Sequence, residues 1–253
     1  MKASGNTILV TGGGSGIGRA LAQRWNDAGN RVIVTGRRRD MLNETAAGRA
    51  GIFVHELDIN DAEAIEAAVG EIVAAYPELN VLVNNAGTYN GENPRRKRDL
   101  ANAERMIVTN VLGPIRMTNA LIDHLSVQKH AAIINVSSGT AFVPYPASPT
   151  YSASKAAIHS YTAAIRPLLK GRVEVIEIVP PQVQTELTPG QSQDPHSMPL
   201  GAFADEVMTL LHGSGDQSPE EICVERVRSF RDAERTGHFD ELLAMMFEYT
   251  PKG

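Results

Sequence analysis

Cysteine is almost missing from this chain: Cys223 stands alone, which excludes an intrachain disulfide or a redox pair and fits a reducing compartment. Apolar runs are short as well. None approaches the ~20 residues that cross a bilayer, and residues 1–6 lack the charged-then-apolar layout of a secretory signal, so a soluble, cytoplasmic protein without a membrane partner is expected. Positive charge is in deficit, with a formal net charge of −5. No basic field draws the chain to nucleic acid or anionic lipid. The longest basic run, Arg95-Arg96-Lys97-Arg98, has Asp99 and Glu104 beside it and reads as a solvated helix start. The seven histidines are scattered and HExxH is absent, so no metal is expected.

What is present is a rhythm. With 253 residues, 42% of them hydrophobic, the chain can bury a sizeable core as one domain. Apolar, β-branched runs at 7–11, 31–35, 52–57, 81–84, 132–136 and 173–179 read as buried strands. Between them, Ile17, Leu21 and Trp25, and then Ile65, Val69, Ile72 and Tyr76, recur at helical spacing. Gly29 and Pro77 supply helix stops. Repeating strand–helix units imply an α/β fold with a doubly wound parallel sheet and helices on both faces. Residues 186–202 carry Pro189, Gly190, Pro195, Pro199 and Gly201; so long a polar segment in a compact chain suggests a functional lid or disorder. A helix around 203–211, a short strand around 221–227 and an amphipathic stretch at 238–249 follow. The last carries an apolar stripe of Phe239, Leu242, Leu243, Met246 and Phe247 that reads first as core, then as subunit interface, and last as lid.

Two motifs carry chemistry. The first is Thr11-Gly12-Gly13-Gly14-Ser15-Gly16-Ile17-Gly18, between the first strand and the first helix. A glycine-rich turn there lets backbone N–H groups approach a pyrophosphate, and the helix N-terminus adds partial positive charge. Its spacing, Gly12-x-x-x-Gly16-x-Gly18, departs from the common GxGxxG. Where the second strand ends, an acid would hold the ribose 2′-hydroxyl of NAD; here stand Gly36-Arg37-Arg38-Arg39. A guanidinium grips a 2′-phosphate bidentately, so NADP(H) is expected over NAD(H), with Arg37 first and Arg38 second. The alternative is a basic surface start to the next helix. Asp58 ends the third strand, either at an adenine ring or as a cap for the helix near Asp61.

The second motif is Tyr151-Ser152-Ala153-Ser154-Lys155. On a helix, residues i and i+4 share a face, and an ammonium beside a phenol stabilises the phenolate. Ser138 ends the strand at 132–136, at the carboxyl edge where open α/β sheets bind ligands, and can hold a substrate oxygen; Ser137 competes for that role. The apolar residues Ala141, Phe142, Val143, Pro144, Tyr145 and Pro146 either line the substrate pocket or pack on the core.

These markers, with Asn84-Asn85-Ala86-Gly87 and Asn110, resemble the short-chain dehydrogenase/reductase family over nearly the whole chain. The resemblance implies one Rossmann-type domain over residues 1–253, about seven strands, and hydride transfer between NADP(H) and a carbonyl or alcohol. It implies Tyr151 as general acid/base and Ser138 as the group orienting the carbonyl. Lys155 would lower the Tyr151 pKa and bind the nicotinamide ribose, and Asn110 would hold a relay water. Without the family, Asn110 reads as a buried polar residue at a helix bend. Thr11 and Asn84 would brace the central strands. The cofactor set would be Thr11, Gly12, Ser15, Gly16, Ile17, Gly18, Arg37, Arg38, Asp58, Asn84, Ala86, Gly87, Tyr151, Lys155, Pro180, Val183 and Thr185. A homodimer or homotetramer through the helices after Pro94 and from Tyr151 is expected. One departure stands out: the family's Pro-Gly-x-Val-x-Thr is Pro180-Pro181-Gln182-Val183-Gln184-Thr185 here, so a ring replaces a free φ and an N–H. The Pro-Pro pair is similar to that of DltE-like bacterial oxidoreductases. It also motivates an alternative, a catalytically silent NADP(H)-sensing protein on the same fold.

Overall fold

In a computed structural model, described here for residues 1–213 and 218–248, seven parallel strands form one sheet. They are β1 (Thr7–Thr11), β2 (Arg31–Gly36), β3 (Ile52–Glu56), β4 (Leu79–Asn84), β5 (Ala132–Val136), β6 (Glu174–Val179) and β7 (Glu221–Cys223). Their order is β3-β2-β1-β4-β5-β6-β7, and every pair is parallel. The chain reverses its winding between β1 and β4, which opens a crevice at their carboxyl ends.

The strands are buried on both sides, so alternation sorts each residue to a face. Ile8, Val10, Val32, Val34, Val81 and Val83 point to one layer, built by α1 (Gly16–Asp27), α2 (Arg39–Ala46) and α7 (Leu200–His212) through Leu21, Trp25, Leu42 and Phe203. Leu9, Ile33, Leu82 and Ile133 point to the other, built by α3 (Ala62–Ala75) and α5 (Gly113–Ser126) through Ile65, Ile72, Met117 and Leu121. The long helix α6 (Pro149–Leu169) lies on this second face against β5 and β6.

Several boundaries differ from the sequence reading. The helix after Pro94 begins only at Ala101, as α4 (Ala101–Ile107). The basic run 95–98 therefore lies in a turn ahead of the helix: the Asn93 side chain accepts from Arg95 N, and Arg98 pairs with Glu92. The predicted loop 186–202 ends before Leu200, where α7 starts. The predicted strand 221–227 stops at Cys223, and the chain turns into α8 (Arg228–Arg231), α9 (Ala233–Thr236) and α10 (Phe239–Glu248). In α10 no residue is fully buried, which argues against the core reading of that stripe; Tyr249, the last residue of the predicted stretch, falls outside the described residues.

Candidate active site

The first wall of the site is backbone. Gly12 sits at φ +66°, and a Cβ there would lie 2.8 Å from Ala86 Cα. At Gly18 a Cβ would lie 2.4 Å from Gly12 O, so only glycine lets α1 start this close to the turn. Ser15 occupies the N-cap of α1 without a side-chain cap bond, which leaves the first helix amides facing the crevice, as an anionic ligand needs. Thr11 works from beneath: its hydroxyl donates to Val83 O and accepts from Asn85 N and Ala86 N at 3.1 Å. It is a brace between β1 and β4, as the family resemblance implied.

A cleft of about 400 Å³ runs along the carboxyl edge of the sheet. It is lined by Gly12, Ser15, Gly16, Ile17, Arg37, Arg38, Asp58, Ala86, Gly87, Ser138, Tyr151, Lys155, Pro180, Val183 and Thr185, all expected there. Thr11, Gly18, Asn84 and Asn110 stand behind this lining and hold it in shape. Arg37 and Arg38 are exposed at the mouth and make no ion pair among the described residues. Asp58 accepts from Asn60 N at 3.0 Å, while Asp61 caps α3 through Glu63 N and Ala64 N. The cap alternative for Asp58 is therefore wrong.

The second wall is made of side chains. α6 is stitched to the sheet by successive turns: Lys155 Nζ donates to Val136 O at 3.0 Å, His159 Nδ1 meets Glu177 Oε2 at 2.8 Å, Thr162 Oγ1 accepts from Asn135 Nδ2 at 2.9 Å, and Arg166 Nε donates to Val175 O at 3.1 Å. Asn135 also accepts from Asn84 Nδ2 at 2.8 Å, so Asn84 braces β4 to β5. At the top of the same stripe Tyr151 and Ser138 are both buried, and the serine hydroxyl lies against the phenol.

The electrostatics of this wall are those of a dry site. Burial pushes the Tyr151 phenol up to about 12, with the Ser138 hydroxyl pulling it back and Tyr89 adding to the rise. Burial pulls Lys155 down to about 8, and Glu177 opposes that fall. The expected lowering of Tyr151 by Lys155 is not in force in this arrangement. The ammonium is spent on Val136 O and stands 5.7 Å from the phenol ring centroid.

Asn110 lies buried in a π-helical turn, Val108–Leu112, joining α4 to α5. Its carboxamide is committed: Oδ1 accepts from Thr88 N at 2.8 Å, and Nδ2 donates to Thr88 O and to Ser154 Oγ. Any relay water is left to the irregular backbone of that turn. The segment after β6 is also pinned: Val183 bridges Met198, and Gln191 Nε2 donates to Val183 O at 2.7 Å.

Of the two readings of residues 141–146, Phe142 and Val143 take packing over pocket lining, and one aromatic escaped the sequence reading. Phe142 packs on His159 at 4.7 Å and on the Arg231 guanidinium at 4.8 Å, and Val143 is fully buried, so neither lines the cleft. The aromatic beside the Tyr151 phenol is Tyr89, whose ring meets it edge-on at 5.2 Å. Nothing in its local spacing marked it, because the loop after β4 carries it across to α6.

The comparisons agree with this geometry. Residues 6–196 match the family model of the short chain dehydrogenases, and the chain belongs to that family of oxidoreductases. Among relatives, it is 36% identical to the uncharacterized oxidoreductase DltE of Bacillus subtilis, over 97% of this chain and 98% of that one. It is 34% identical to the NADP-dependent 3-hydroxy acid dehydrogenase YdfG of Shigella flexneri, over 68% and 71%. A short chain dehydrogenase from Burkholderia cenocepacia, solved in complex with NADP, superposes with a TM-score of 0.83 at 26% identity, covering 99% and 100% of the two chains. No helix among the described residues is long and apolar enough to cross a membrane.

Proposed function

We propose that the protein is an NADP(H)-dependent carbonyl reductase or alcohol dehydrogenase acting on a small-molecule carbonyl or secondary alcohol. The observation that carries this reading is one cleft with two ends: a glycine turn with two unpaired arginines, and a buried Ser138, Tyr151 and Lys155. Arg37 and Arg38 would hold a 2′-phosphate, and the open amides at the start of α1 a pyrophosphate. Leu57 and Ile59, which also line the cleft, would flank an adenine. The NADP bound to the Burkholderia protein and the NADP dependence of the Shigella relative support the choice of cofactor.

NADPH, when bound, supplies the hydride. In reduction, Ser138 holds the substrate carbonyl oxygen and Tyr151 gives it a proton, so hydride plus proton turn the carbonyl into an alcohol. Lys155 supplies positive charge to the resulting phenolate. A phenol held near 12 is a safe proton store until that charge reaches it. Tyr89 and Tyr145 give the substrate side an aromatic edge, and the segment 186–199 closes over it as a substrate loop. Exposed Ile107 and Leu112 around the π turn and Leu168 on α6 fit self-association through these helices, as a homodimer or homotetramer.

The test is loss of NADPH absorbance against a panel of ketones, aldehydes and diketones, with Tyr151→Phe alongside. Turnover that vanishes in the variant is the expected result. Tight NADPH binding with no turnover on any carbonyl favours the sensing protein instead.

A further inference from the structure

Behind Lys155 lies a charge cluster that the mechanism above does not use. Glu177 on β6 is wholly buried, and its Oε1 has no hydrogen-bond partner among the described residues. Its Oε2 meets His159 Nδ1, one turn of α6 beyond Lys155. In the sheet register Asn135, Glu177 and Glu221 are direct neighbours across β5, β6 and β7. Arg231 from α8 donates to both oxygens of Glu221, at 2.6 and 3.0 Å. Around Glu177 stand His159, in contact with it, and Lys155, one turn back on α6 and bonded to Val136 O beside the register partner Asn135; Glu221 is its neighbour on β7, with Cys223 two residues on, and Arg231 of α8 reaches Glu221.

His159, Glu177 and Glu221 hold their ligand-type atoms within 4.8 Å of one another, a spacing that a divalent cation also uses. Arg231 already occupies that charge position, so the cluster is balanced from within. The balance is uneven, however. Glu221 is matched by Arg231 through two hydrogen bonds, whereas Glu177 is bonded through one oxygen only, to His159, whose pKa that bond raises, and its other oxygen has no partner among the described residues. Lys155, for its part, is a buried ammonium with one neutral carbonyl as its bonded partner. A buried charge persists only when an opposite charge compensates it.

We propose that Glu177 is a positioning residue for catalysis: its carboxylate, held by His159, is the counter-charge that keeps Lys155 an ammonium beside Tyr151. The proposal rests on the assignment of Tyr151 and Lys155 to the reaction. Glu177 touches neither substrate nor cofactor site; it acts through Lys155. The margin is narrow, because Lys155 already sits at about 8 with Glu177 in place. Without that carboxylate the lysine would discharge close to neutral pH and leave the phenol unsupported.

Direct titration of Lys155 tests this without any substrate. The chain has six lysines, so cofactor-free protein labelled with [ε-13C]lysine gives a resolvable spectrum, and Lys155→Arg identifies the signal. Glu177→Gln is expected to lower the Lys155 midpoint by roughly one pH unit, and to move the alkaline limb of kcat/KM for NADPH oxidation down by the same amount. His159→Gln keeps the carboxylate and a donor for it, and the midpoint is expected to stay. A midpoint unmoved in Glu177→Gln overturns the proposal; so does an equal fall in His159→Gln, which would assign the effect to packing. If Glu177→Gln does not fold, Glu177→Asp withdraws the charge by one methylene, and an unmoved midpoint there overturns the proposal equally. Failure of the wild-type protein to reduce any carbonyl would sink the reductase reading and leave the lysine titration interpretable on its own.

Discussion

The two ends of the cleft are built from different materials. At the nucleotide end the contacts are backbone amides, a turn that tolerates no Cβ, and two exposed guanidiniums. At the catalytic end they are buried side chains stitched between α6 and strands β5 and β6. A backbone site depends on local conformation and survives changes in the core behind it. A side-chain site depends on the register of elements far apart in sequence, and is tuned by groups that never touch the ligand.

The sharpest way to break this contrast is Tyr151→Phe. Removing a general acid is expected to cost on the order of 10²–10⁴-fold in kcat while calorimetry finds NADPH affinity nearly unchanged; parallel losses in both would mean that the two ends are one unit. Gly18→Ala attacks the other end. Its Cβ meets Gly12 O at 2.4 Å, and the forced shift is expected to weaken NADPH binding by about 1–3 kcal/mol, with no comparable change in kcat at saturation. Arg38→Ala should cost about tenfold in KM for NADPH and nothing for NADH; an equal loss for both cofactors would remove the 2′-phosphate role.

The pH profile sharpens the catalytic side. In the proposed mechanism Lys155 acts as an ammonium, and burial holds it at about 8, so kcat/KM for reduction is expected to be flat below that value and to fall about tenfold per pH unit above it. The Tyr151 phenol, held near 12, adds no limb in this window. The same lysine touches stability with the opposite sign. Its folded pKa is depressed, so between about 8 and 10.5 the unfolded chain binds more protons and this residue's contribution to stability rises with pH. The smallest expected effect on cofactor binding is that of Thr162→Val, which acts on stability instead by leaving Asn135 Nδ2 without its acceptor. A loss of about 1–3 kcal/mol in denaturant unfolding is expected, with NADPH affinity intact.

The contrast also explains what could be read from the chain alone. Gly12, Gly16 and Gly18 announce a turn, because the conformation they permit is local, and the apolar, β-branched runs at 7–11 and 132–136 announce buried strands for the same reason. Tyr151 and Lys155 were legible because one helix sets their spacing. Tyr89, Glu177 and Arg231 were not: each reaches the site only through strand register or a loop that crosses from one element to another. Phe142 illustrates an alternative the sequence left open: its apolar character suited a pocket wall or the core, and the short turn after Ser138 points it at His159 and Arg231.

The segment that follows β6 has a consequence for change in this molecule. Gln184 N donates to Met198 O and Met198 N to Gln182 O, both at 2.8 Å, which ties the two ends of the segment together. Inside, Asp194 gathers Gln182 Nε2, His196 N and Ser197 Oγ. A stretch tied at its base is held independently of β6 and α7, so exchanging residues between Thr185 and Met198 is expected to alter the cleft wall that Glu186, Leu187 and Gln191 form while the sheet keeps its register.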